Sequence, residues 1–68
     1  MKYKLLLNDK KKLNDGTYVY RIKAVKLFAN VKVNDLGGYI EKESNLSQSG
    51  NAWVYGDAEV CDDFIKNK

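Results

Sequence analysis

Sixty-eight residues suffice for one domain but bury little surface, so a metal, disulfides or a partner usually supports a chain of this size. The single cysteine excludes an internal disulfide and the lack of histidine removes the usual zinc ligand sets, which leaves self-association as the common aid. The net charge of +3 divides unevenly: residues 1–33 carry nine Lys/Arg against Asp9 and Asp15 (+7), and residues 34–68 carry three lysines against seven acids (−4). Such a chain can offer its basic half to an anionic partner or meet another copy of itself. The longest apolar run, Leu5-Leu6-Leu7, is far too short for a membrane span, and Met1-Lys2 precedes it without a signal-peptide pattern. A cytoplasmic location is expected, and the lone Cys61 is consistent with it.

In chain order, Tyr3, Leu5 and Leu7 alternate with Lys2, Lys4 and Leu6, the period of a strand with one apolar face, ending at Asn8-Asp9. Lys10 to Leu13 reads as a charged connection, and Asn14-Asp15-Gly16 as a tight turn that makes a β-hairpin. Tyr18, Tyr20, Ile22 and Ala24 then alternate with Val19, Arg21, Lys23 and Val25, the clearest strand in the chain. Lys23 to Asn30 is compatible with a helical turn or two. Val31 and Val33 flank Lys32 in a shorter expected strand, and Asn34-Asp35 turns the chain again.

From Leu36 the sequence divides into hexads: LGGYIE, KESNLS, QSGNAW, VYGDAE and VCDDFI. The fifth position reads Ile40, Leu46, Ala52, Ala58 and Phe64, and the first reads Leu36, Val54 and Val60 with Lys42 and Gln48 as departures. Three short strands around a triangular prism account for this spacing. One residue of each hexad points to the axis, and the corners take Gly, Asn or Asp, as at Gly50-Asn51 and Gly56-Asp57. The fold expected is one mostly β domain over residues 1–68, a strand-rich hairpin cap (1–35) followed by a short left-handed β-helix-like hexapeptide repeat (36–65).

The segments Tyr18 to Ala24, Asp35-Leu36-Gly37-Gly38-Tyr39-Ile40-Glu41, Asn45-Leu46-Ser47 and Gly50 to Ala58 (GNAWVYGDA) carry a resemblance. In this order they resemble phage and prophage hexapeptide-repeat proteins of the "polymer-forming" type, which pair a strand-rich cap with a DLGG-aromatic segment and G-N-A-x-V-x iterations. The resemblance implies a β-helical fold and a mobile-element context, with the host cytoplasm as the location, and implies no particular reaction.

Residue chemistry points away from catalysis. The histidine base of hexapeptide-repeat acyltransferases is missing, and Cys61 has no activating neighbour and reads as a small filler. Asp57, Glu59, Asp62 and Asp63 lack calcium-loop spacing and read as a solvated acidic corner. No cofactor or metal is expected.

Binding is the expected mode. Trp53 and Tyr55 flank Val54 and point outward if Val54 points in, so with Tyr39 they form a candidate surface for a protein partner. Packing of these rings on the cap is an equal alternative. Val60 and Phe64 are the candidates for self-association into a homodimer or higher homo-oligomer. The expected function is that of a non-enzymatic phage-type binding protein that inhibits or scaffolds a host assembly, such as a defence complex. The alternative is a nucleic-acid-binding module in which Lys10, Lys11, Lys12, Arg21 and Lys23 contact phosphates. Nucleic acid is the less favoured partner, because the tyrosines of the second strand are needed for the core and the acidic half repels a polyanion.

Overall fold

A computed structural model describes residues 1–61. Four strands form one sheet in the order β1 (Tyr3–Lys12), β2 (Tyr18–Ala24), β3 (Leu36–Ile40) and β4 (Glu59–Val60). β2 runs antiparallel to both β1 and β3, and β4 lies parallel to β3.

The hairpin turn falls at the expected place. Leu13 and Thr17 close it through a 2.7 Å backbone bond, and the Asp15 carboxylate accepts from the Thr17 N–H at 2.9 Å. β1, however, does not end at Asn8-Asp9. A bulge between Leu6 and Lys10 absorbs the polar residues, and Lys10 to Lys12 rejoin the ladder opposite Tyr20 to Tyr18. No α-helix occurs among the described residues, and Lys23 to Asn30 holds no helical turn. Val31 and Val33 make no strand: Phe28 and Val31 bridge each other across a tight turn, with Ala29 at φ 47.

Ile22 and Ala24 point into the core as their alternation predicts, with Tyr3, Ile40, Leu46 and Val54 around them in two adjoining clusters. Tyr20 is half-buried and Tyr18 is exposed, because the hairpin extends beyond the segment that covers the core. Val19, on the opposite face, is nonetheless fully buried. The sheet coils over that face far enough for Lys11 of β1 to reach Glu59 of β4.

The left-handed β-helix expected from the hexads is not what forms. Parallel coils of three hexads place partners 18 residues apart, whereas Tyr39 pairs with Glu59 and Ile40 with Val60, an offset of 20. On its other side β3 pairs antiparallel with β2, so no coil stacks there. Between β3 and β4 the chain makes a 3-10 turn (Glu43–Asn45) and irregular backbone instead of flat strands. Ile40, Leu46 and Val54 point inward as the hexads require, but Ala52 and Ala58 are exposed and Leu36 is 55% exposed. Bends do occur at the expected corners, where Gly50 (φ 74) and Gly56 (φ 59) take left-handed conformations. These local bends fold the segment as a strap across the hairpin, because the face of Tyr3, Ile22 and Ala24 needs a cover that Leu46, Trp53 and Val54 supply. No helix of the described residues is long and apolar enough to cross a membrane.

Candidate functional site

The strap over residues 41–58 fixes where the aromatic candidates sit. Asn45 holds its entry by accepting from the Glu41 and Lys42 N–H groups at 3.1 and 2.9 Å. The Gln48 side-chain amide then bonds to backbone at the margin of β1. Its Oε1 accepts from the N–H groups of Lys2 (2.7 Å) and Tyr3 (3.2 Å), and its Nε2 donates to the Tyr3 carbonyl at 3.4 Å. The Tyr3 hydroxyl donates to the carbonyls of Glu43, at 3.1 Å, and Leu46. Lys2 is completely buried. Its ammonium donates to the carbonyls of Ala52 (2.7 Å), Gly50 (3.4 Å) and Ser49 (3.5 Å), and sits 4.8 Å from the centre of the Phe28 ring. Burial, then the nearby Lys26 charge, lowers its pKa.

Trp53 therefore packs inside the chain, edge-on to Phe28 (5.3 Å between centroids) and to Tyr3 (6.4 Å). Its outward orientation, expected from alternation about Val54, does not occur, because the strap is not a strand. Tyr55 does face solvent, with 60% of its surface exposed. Tyr39 is buried on the second face of the sheet, so the three aromatics do not form one surface.

That second face is a saturated polar cluster. The Lys11 ammonium lies 4.6 Å and the Arg21 guanidinium 4.5 Å from the centroid of the Tyr39 ring. Arg21 donates to the Tyr39 hydroxyl (2.6 Å) and the Gly37 carbonyl (2.7 Å) and pairs with Asp9 (3.3 Å) and Asp57 (3.4 Å). Lys11 pairs with Glu59 at 2.8 Å, a hydrogen bond that raises the lysine pKa. Of the acids read from sequence as a solvated corner, Asp57 keeps 83% of its side chain exposed while it meets Arg21, and Glu59 pairs with Lys11; Asp62 and Asp63 lie outside the described residues. Lys11 and Arg21, two of the five candidate phosphate contacts, spend their charge inside the chain.

Lys10 and Lys12 belong to the other face. Their ammoniums hang 5.1 and 5.9 Å from the centre of the exposed Tyr18 ring. Lys23 stands opposite Lys4 across the β1–β2 ladder, a like-charge pair. Of the self-association candidates, Val60 is on β4 with its side chain against the main core, and Phe64 lies outside the described residues. Cys61 is half-buried.

The sequence reading missed Lys2 and Gln48. Nothing local marks them, since their partners lie 45 to 50 residues away. Gly37-Gly38 did carry a signal. Adjacent glycines in a strand mark a close backbone approach, and here the Trp53 ring, the Val54 carbonyl and the Ala58 carbonyl crowd them. Comparisons with protein families, curated proteins and solved structures find no match.

Proposed function

We propose that the chain is a non-enzymatic binding protein that acts through protein–protein contacts and associates with itself along β4. The supporting observation is the open sheet: neither β1 nor β4 has a further strand beside it among the described residues. Tyr39 and Glu41 donate to the carbonyls of Ala58 and Val60, so the intervening Glu59 turns its backbone groups away from β3. A second copy pairing there by two-fold symmetry covers the β4 edge of each copy at once and leaves β1 open. The internal pairing of Lys11 and Arg21 favours this reading over nucleic-acid binding. The resemblance in DLGGYIE and GNAWVYG supports a phage context, in which the protein inhibits or scaffolds a host assembly in the host cytoplasm.

Sedimentation equilibrium tests the self-association. The wild type is expected to run as a dimer at high micromolar concentration. Glu59→Pro, which removes an outward N–H and the partly exposed ion pair with Lys11 at modest cost to an edge strand, is expected to run as a monomer with an unchanged circular dichroism spectrum. Val60→Lys should also be monomeric, but less stable, since Val60 packs on the core. A wild type that remains monomeric overturns the self-association.

A further inference from the structure

The alternation of β1 separates three consecutive lysines. Lys11 goes to the second face and is neutralised by Glu59. Lys10 and Lys12 go to the opposite face; both are exposed, and neither makes an ion pair among the described residues. Their backbones point outward as well. The Leu13 N–H donates to Thr17 toward β2, so at period two Lys12 and Lys10 direct N–H and C=O away from β2. The same two residues thus combine free positive charge with the unfilled side of an edge strand. Alternate residues of an extended chain lie about 6.8 Å apart on one face, which matches carboxylates at i and i+2 to Lys10 and Lys12.

We propose that β1 accepts an acidic extended peptide, with Glu or Asp at alternate positions, as an added strand beside Lys10–Lys12. This rests on the protein-binding reading above and names its partner class. Charge selects the occupant: the lysines repel a basic strand and make an apolar one unfavourable. A single-stranded nucleic acid fits less well, because base stacking requires the Tyr18 ring that the two ammoniums overlie, and a phosphodiester chain cannot complete the β1 ladder.

The test is a titration of 15N-labelled protein with a capped Thr-Glu-Thr-Glu-Thr-Glu peptide, with a thymidine dodecanucleotide in a parallel arm. The expected result is saturable shifts along β1 and slowed amide exchange at Lys10 and Lys12. The Lys11 amide, already bonded to β2, should not change. Added salt should weaken binding. The double variant Lys10→Glu/Lys12→Glu should lose affinity by about tenfold or more, and Lys32→Glu should stay within about twofold. Absence of saturable binding, binding without amide protection, or tighter binding of the oligonucleotide overturns the proposal. So does a double variant that loses self-association, because the occupant is then the acidic β4 region of a second copy. A wild-type dimer that ignores the peptide sinks this inference alone, and a wild-type monomer that binds it sinks only the association through β4.

Discussion

Lys2 is the side chain whose surroundings matter most for its type, because an ammonium without exposed surface keeps only the partners the fold provides. Three strap carbonyls and the Phe28 ring provide them. Removing the charge frees those carbonyls, all three of which lie on exposed residues that water can reach. Lys2→Met is therefore expected to destabilise the protein by about 1–3 kcal/mol, read as a lower urea midpoint. Lys4→Met, on an exposed position, should stay within about 0.5 kcal/mol. Tyr3 links this region to pH. Burial, then the Glu43 charge, raises its phenol above the ordinary value of 10.0. The neutral phenol thus contributes stability that is fully present below pH 10.0 and is lost as pH rises through the raised folded value. Lys2 acts with the opposite sign: its lowered pKa lets stability rise with pH below 10.5. Tyr3→Phe should be less stable than the wild type at pH 8, with a shallower alkaline decline, in denaturation curves taken between pH 8 and 11.

The strap reaches β3 because two successive residues there have no side chain. A Cβ on Gly38 meets the Ala58 carbonyl and a Val54 methyl, each at 2.6 Å, and backbone cannot move aside as a flexible side chain does. Gly38→Ala should cost about 1–3 kcal/mol and weaken the β3–β4 pairing, seen as faster amide exchange at Tyr39 and Glu41. Much of this was legible. The hairpin turn at Asn14-Asp15-Gly16, the core face of Ile22 and Ala24, and the bends at Gly50 and Gly56 are all local properties of the chain. The hexads misled at the next level up. A left-handed glycine fixes a bend but not the direction in which the following residues pair, and Trp53 is better satisfied against Phe28 and Tyr3 than outside. Asn8-Asp9 resembles a strand end, whereas a bulge carries them and β1 runs on to Lys12. The Lys11–Glu59 and Arg21–Asp57 pairs join segments 36 to 48 residues apart, and no window of sequence contains both partners.

The two faces of the sheet divide the work. One holds an apolar core roofed by the strap, and the other a charged cluster around Tyr39 that ties the basic half of the chain to the acidic half. Both depend on contacts distant in sequence, so folding is expected in the slower, millisecond-to-second range of small domains. Gln48→Ala should mainly speed unfolding if the strap docks after the rate-limiting step, which stopped-flow chevrons measure. The strap has a further consequence during synthesis. β1 and β2 can pair once Ala24 is available, but the apolar face of Tyr3 and Ile22 gains its cover only when Leu46, Trp53 and Val54 follow. At about 5–20 residues per second on a ribosome, that face stays bare for seconds, a docking interval for nascent-chain chaperones that closes once Val54 is in place.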